Sequence, residues 1–242
     1  MAITGAAGLL AAWEAGLAEA PGGRALLLHR AARPDDDTGR LLAVPVGERE
    51  ADLFALRRAL FGERMQVRLA CRACGEDMEF ELDAGHLADS AQVPGEPVVR
   101  VEQDGWDVEF RLPGVADLTA AARSQDPRAA LLDRCLVAAL HDGSAVTAAD
   151  LPAPVQRRIA AAVEEADPGA DLALHVACPE CGQATRAELD IASYLWTELD
   201  AWARDVLLDV HLLATAYGWS EPEILTLSPL RRRYYLELCA DV

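Results

Sequence analysis

The chain has 242 residues, enough for one large domain or two small ones, and 52% of them are hydrophobic, which excludes a disordered polymer. Its formal charge is −18. Affinity for nucleic acid or anionic membrane comes from neutralising phosphates, so that charge argues against both as non-specific partners.

Residues 1–20 carry Glu14 and Glu19 and lack a basic start, so they do not read as a signal peptide. Ala7, Leu9, Leu10, Trp13 and Leu17 fall at helical spacing over residues 7–19. Pro21-Gly22-Gly23 breaks that pattern, and residues 24–32 resume it. Pro34 to Gly39 is expected as a polar loop. Its three adjacent aspartates lack the alternating ligands and terminal glutamate of a calcium-binding EF-hand loop. A helix is expected over residues 48–61, with Leu53, Leu56, Leu60 and Phe61 on its apolar side and Gly62 as its stop.

Ala70-Cys71-Arg72-Ala73-Cys74-Gly75 follows, flanked by strand-like runs at residues 65–69 and 78–82. The same unit returns at Ala177-Cys178-Pro179-Glu180-Cys181-Gly182, between strand-like runs at residues 172–176 and 184–189. Glu81-Leu82-Asp83 and Glu188-Leu189-Asp190 follow their cysteine pairs at the same distance. The repeated unit reads as strand, Cys-x-x-Cys-Gly turn, strand, then helix. Two cysteines three positions apart in a tight turn aim both sulfurs at one point, and the glycine after them can take positive φ. Each knuckle supplies two ligands and a closed tetrahedral zinc site needs four. The expected site is therefore Cys71, Cys74, Cys178 and Cys181, holding one structural Zn2+ per chain.

Ordinary zinc ribbons separate their two pairs by roughly 15–20 residues. Here a folded insertion must return its ends to the same place. Two separate dithiol or disulfide hairpins are the alternative. A thioredoxin-type redox motif would sit between a strand and a helix, whereas these pairs sit between two strands.

Between the pairs, residues 90–97 read as a Pro- and Gly-rich connection. Residues 98–101 and 106–112 alternate apolar and polar side chains across Asp104-Gly105, a strong hairpin signal. Residues 115–140 read as two helices split at Gln125-Asp126-Pro127. Asp126 is the expected cap of the second, whose buried side would be Leu131, Leu132, Cys135, Leu136, Ala139 and Leu140. A further helix is expected over residues 150–166. His141 and His175 are isolated; His175, three residues before Cys178, is a candidate to lie beside the ligands. Cys135 and Cys239 read as packing residues.

The longest helix is expected over residues 191–217, where Leu195, Leu199, Trp202, Val206, Val210, Leu213 and Tyr217 recur every three or four residues. Gly218 ends it, Ser220 with Glu223 forms a capping box, and Ser228-Pro229 opens a last helix bearing Arg231-Arg232-Arg233. No apolar run reaches the ~18 residues of a membrane span, so a cytoplasmic protein without direct membrane binding is expected. All 22 basic residues are arginine, which reads as a GC-rich genome rather than as a function. No Gly-rich phosphate loop, Gly-x-Ser-x-Gly elbow or His-Glu-x-x-His sequence is present, so no enzyme is expected.

The fold class expected is thus α+β, mostly α-helical, with two zinc-knuckle hairpins forming a split zinc ribbon around a helical insertion. In segments, the chain reads as an N-terminal helical region (1–64), a first knuckle hairpin (65–90), an inserted hairpin plus helices (91–170), a second knuckle hairpin (171–190) and a long helix with a helical tail (191–242), together one compact unit.

The C-terminal third carries a resemblance. Ala192-Ser193-Tyr194-Leu195-Trp196-x-Glu198 leads into His211-Leu212-Leu213-Ala214-x-Ala216-Tyr217-Gly218-Trp219-Ser220-Glu221, then Glu223-Ile224-Leu225-x-Leu227-Ser228-Pro229-x-Arg231-Arg232 and Tyr235-Leu236-Glu237-Leu238. With the Cys178 to Gly182 knuckle and Trp13-Glu14-x-x-Leu17, these resemble the small baseplate proteins of contractile injection systems and contractile-tailed phages, related to T-even-type baseplate hub assembly proteins. The resemblance implies a protein–protein role, building or sitting within the baseplate or hub, with baseplate, hub or spike proteins as partners. It brings no catalytic residues, and the metal is read from this sequence alone. The candidate contact surface is Tyr217, Trp219, Arg231, Arg232, Arg233 and Tyr235, an arginine cluster beside aromatic side chains. The plainer reading of those residues is a helix corner packing on itself. A zinc-ribbon adaptor in a nucleoprotein complex and a Cys-x-x-Cys thiol oxidoreductase are the rival functions.

Overall fold

The computed structural model describes residues 5–90 and 95–240. The chain begins with α1 (Gly5–Leu17), α2 (Pro21–Ala32), α3 (Thr38–Ala43) and α4 (Val46–Phe61). The hairpin of β1 (Arg64–Ala70) and β2 (Asp77–Asp83) follows, then α5 (Ala84–Ser90), β3 (Val98–Gln103) and β4 (Trp106–Arg111). Next are α6 (Val115–Ala122), α7 (Pro127–Cys135), β5 (Leu136–His141), β6 (Ser144–Ala145) and α8 (Ala153–Ala166). A second hairpin, β7 (Ala173–Ala177) with β8 (Ala184–Glu188), leads into α9 (Ile191–Tyr217), α10 (Glu221–Leu225) and α11 (Pro229–Ala240). The fold is α+β and mostly helical. No helix among the described residues is long and apolar enough to cross a membrane.

Two compact units emerge, one spanning Asp35–Ile191 and the other formed by the residues before and after it. In the central unit, β3, β4, β5 and β6 make an antiparallel sheet in that order. Its two tight turns use Asp104-Gly105 and Asp142-Gly143, and all four residues take positive φ, as a type I′ hairpin turn requires. Val101, Val108, Phe110 and Ala139 of the sheet bury against Leu132 and Cys135 of α7 and Val155 and Ile159 of α8.

The strand β5 corrects the sequence reading, which carried a helix through Leu140. Leu136-Val137-Ala138-Ala139-Leu140 is an apolar run too short to distinguish helix from strand by period. Pairing with β4 decides it, through Trp106 opposite His141 and Val108 opposite Ala139. Cys135 is the last helical residue and is buried. Two smaller corrections concern helix starts. Pro21, read as a breaker, is the first residue of α2, where its missing N–H costs nothing. The loop expected at Pro34 to Gly39 ends early, because Asp37 accepts from the Arg40 amide (2.8 Å) and caps α3. Part of the connection expected at residues 90–97, namely 91–94, lies outside the described residues.

Two buried carboxylates hold this unit's helices. Asp117 is 3% exposed and accepts from both terminal nitrogens of Arg111 (2.6 and 3.1 Å), from Arg134 Nε (3.1 Å) and from the Gly114 amide (3.0 Å). Burial resists its charge, but these donors outweigh it and hold the carboxyl below its ordinary value. Asp167 accepts from the Gly47 amide (3.0 Å) across 120 residues of chain. It thereby caps α4, whose own N-cap position is Pro45 and makes no side-chain cap. A Cβ at Gly47 would overlap Asp167 Oδ1, so the cap requires glycine there.

In the other unit, Leu10 of α1 packs with Ala203 and Val206 of α9. Trp13 Nε1 donates to Asp200 (2.8 Å), and the Arg24 guanidinium lies 4.7 Å over the Trp196 ring. Gly16 sits so close to that ring that a Cβ would collide with it. Gly218, at φ 67°, stops α9. Ser220 and Glu223 form the expected capping box, the Ser220 amide donating at 2.9 Å.

Candidate metal centre

Each cysteine pair sits in the turn of its own antiparallel hairpin, and the two turns are near copies. In the first, the Cys71 amide donates to Glu76 O (2.8 Å) and the Gly75 amide to Cys71 O (2.8 Å). In the second, the Cys178 amide donates to Gln183 O (2.9 Å) and the Gly182 amide to Cys178 O (2.8 Å). Gly75 and Gly182 take φ of 78° and 71°, which L side chains rarely adopt, so glycine permits the knuckle in both. This loop turns backbone amides toward the sulfurs.

The hairpins meet at those turns. Cys71 and Cys178 are buried with Met78, and Leu69 and Val176 pack against them. Cys74 and Cys181 form the exposed lip of the cluster. Contacts run between hairpins: Cys71 Sγ lies 3.7 Å from Cys181 Sγ, and Cys74 Sγ lies 3.7 Å from Cys178 Sγ. All four sulfurs fall within 4.8 Å of one another. Sulfurs placed about 2.3 Å from a common centre form a tetrahedron with edges of about 3.8 Å. A disulfide would bring one pair to about 2.05 Å. The spacing fits a shared ion, and the four cysteines can hold one.

The electrostatics agree. Amides of Cys74 and Ala73 draw the Cys71 thiol down to about 6. At Cys74 the Glu76 amide pulls the same way, but hydrogen bonding to the Cys181 sulfur, burial, and the Cys71 and Cys178 sulfurs outweigh it and push the thiol up to about 12. Cys181 is also pushed up, despite the Gln183 amide and Cys74, by burial and by the Cys71 and Cys178 sulfurs. The Cys71 thiolate forms readily, whereas hydrogen bonding among the sulfurs and burial resist ionisation at Cys74 and Cys181. A cation at the centre removes that resistance.

Among the described residues, this is the one group of three or more histidines, cysteines or acidic residues placed to share an ion. His175 lies exposed on β7, outside that group, and His141 stacks on Trp106 with ring centroids 4.2 Å apart. Asp36 pairs with Arg40 (3.1 Å). Cys135 is buried, and burial pushes its thiol up to about 11.

Of the residues named as a contact surface, Tyr217 and Trp219 stack with centroids 4.6 Å apart, and Tyr235 meets both edge-on at 5.8 and 4.9 Å. Arg231 is exposed, and Arg233 pairs with Glu237 (3.0 Å). Arg232 turns inward: it is 6% exposed, with its Nε 2.9 Å from Asp209. Sequence reasoning missed the outward side chains of α11, Leu230, Tyr234 and Leu238, although their spacing of four residues was legible. It also missed Asp117 and Asp167, whose partners no local pattern reveals.

A family model described as T4 bacteriophage base plate protein matches residues 27–193. That span contains both cysteine pairs and the whole of the central unit, and it stops at the start of α9. The stretch 194–238, on which the resemblance was mainly read, lies beyond it. No curated protein and no solved structure matches the chain.

Proposed function

The chain belongs to the T4 bacteriophage base plate protein family, and on that footing we propose that it is a non-catalytic, zinc-stabilised structural or assembly protein of the baseplate or hub of a contractile phage-tail-like particle. The observation that carries this reading is that the family match encloses both knuckles and the whole insertion between them. The metal-bearing core and the family's shared segment are one stretch of chain.

Zinc is the ion because four thiolates at tetrahedral spacing are its usual structural donor set. With every cysteine of the cluster used as a ligand, no position stays open for substrate or activated water, so the ion supports the fold. Assembly takes place in the cytoplasm, where paired cysteines favour metal over disulfide. The partners are other baseplate, hub or spike proteins, and the charge of −18 keeps nucleic acid and membrane out of the set. Tyr217, Trp219, Tyr235, Arg231 and Arg233 form the part of the surface that a partner would meet.

Deleting the gene in a host that makes the particle tests the role. Tails lacking a competent baseplate are expected, restored by the wild-type chain and not by a Cys74→Ser, Cys181→Ser double variant. Mass spectrometry of the purified particle then decides whether the protein stays in it. Normal particles in the deletion strain would overturn the reading.

A further inference from the structure

We propose that the four-cysteine centre is also an oxidation site, where hydrogen peroxide replaces the shared ion by two disulfides that run between the hairpins, Cys71–Cys181 and Cys74–Cys178, and not within either Cys-x-x-Cys pair. The exchange presupposes the zinc reading above and follows from an asymmetry in the cluster. Each hairpin contributes one exposed sulfur, Cys74 or Cys181, and one buried sulfur, Cys71 or Cys178, each only 2% exposed. Each exposed sulfur faces the buried sulfur of the other hairpin at 3.7 Å.

That arrangement selects the pairing. A disulfide needs about 2.05 Å between its sulfurs, so each facing pair has less than about 2 Å to close once no ion stands between them. Met78 is buried with Cys71 and Cys178, and Leu69 and Val176 pack against them. This apolar seam holds the two turns together while the ion departs, so the facing sulfurs stay paired.

Cysteines that bind zinc are thiolates, the form that oxidants attack, and exposure decides which of them is reached first. The Cys74 thiolate attacks one peroxide oxygen: an S–O bond forms, the O–O bond breaks, and hydroxide leaves with the electron pair, giving a sulfenic acid. The Cys178 thiolate then attacks that sulfur, so the S–S bond forms, the S–O bond breaks and a second hydroxide leaves. Cys181 and Cys71 repeat both steps. Four thiolates and two peroxides thus give two disulfides and four hydroxides, and the sulfurs release the ion. Both bonds close the stretch of chain that the ion closed, so the cross-link persists where oxidant displaces the reducing cytoplasm.

The test uses the full zinc-loaded chain. Its zinc is counted first, hydrogen peroxide is then added in stoichiometric amount, and a chromogenic chelator follows release. Remaining thiols are alkylated, and the unfolded chain is digested with trypsin and a glutamate-specific protease. Arg72 and Glu180 lie between the cysteines of their knuckles, so cleavage there lets mass spectrometry assign every linkage. Full zinc release and both cross-hairpin linkages are expected, reversed by dithiothreitol with added zinc. The melting midpoint of the oxidised chain should stay within about 5 °C of the zinc-loaded one, against a fall of about 10–20 °C for a chelated, reduced chain. In Cys74→Ser, Cys71–Cys181 should form alone and Cys178 should be alkylated. Zinc-loaded protein that gives Cys71–Cys74 or Cys178–Cys181 linkages, sulfinic acids, or no zinc release overturns the exchange and leaves the zinc reading standing. Protein that carries no zinc at the outset overturns both.

Discussion

Replacing Cys178 with serine leaves three sulfurs and should release the ion that ties the hairpins. The tie between Cys74 and Cys178 closes a stretch of 104 residues. Closing a loop of that length is worth about 4.7 kcal/mol in chain entropy when treated as a covalent cross-link. Chains of this size are stable by only about 5–15 kcal/mol, so the loss is a large share. Each kcal/mol moves the melting midpoint by about 2–4 °C at this length, which gives a fall of about 10–20 °C. Differential scanning calorimetry of wild type, Cys178→Ser and chelator-treated wild type measures it, with Cys239→Ser, outside the cluster, as the control. The two metal-free samples should fall together. A shift under about 3 °C in both would refute the reasoning that the sulfurs act as a long-range cross-link.

Other outcomes follow from the same structure. Gly47→Ala forces a methyl into the Asp167 carboxylate and should cost about 1–3 kcal/mol in urea melts; an unchanged midpoint would mean that Asp167 does not cap α4. Asp117→Asn should cost about 2–3 kcal/mol at pH 7, less than a fully buried pair because Arg111 and Arg134 reach solvent. The Asp117 pKa is lowered in the folded state, so its contribution is present above the ordinary carboxyl value of about 3.9 and is lost as pH falls below it. Wild-type stability should therefore decline on acidification more steeply than that of Asp117→Asn, and parallel declines would contradict the assignment. Duplex DNA or RNA at low salt should show no saturable binding tighter than about 100 µM; micromolar binding would favour the nucleoprotein adaptor.

The knuckles were readable because their chemistry is local: five residues supply two ligands and the glycine that shapes the loop. Their meeting was readable only by counting ligands, since no local pattern shows that residues 71 and 181 are neighbours. Leu136 to Leu140 misled because it suits the buried side of a helix as well as it suits β5. Asp142-Gly143, the same turn signal that placed Asp104-Gly105 correctly, stood just beyond it. Asp167 was opaque for another reason: its partner, Gly47, is 120 residues away, and the only hint was a helix beginning after proline with no side chain to cap it. The family itself was legible, yet the resemblance was drawn mainly from the helices after Ile191, while the match covers the stretch before them.

Zinc content measured by inductively coupled plasma mass spectrometry, on protein purified without chelators or added metal, tests the centre of this account. One zinc per chain is expected in wild type and in Cys239→Ser, with none retained by Cys74→Ser, Cys181→Ser. Folded wild-type protein carrying no zinc would contradict it.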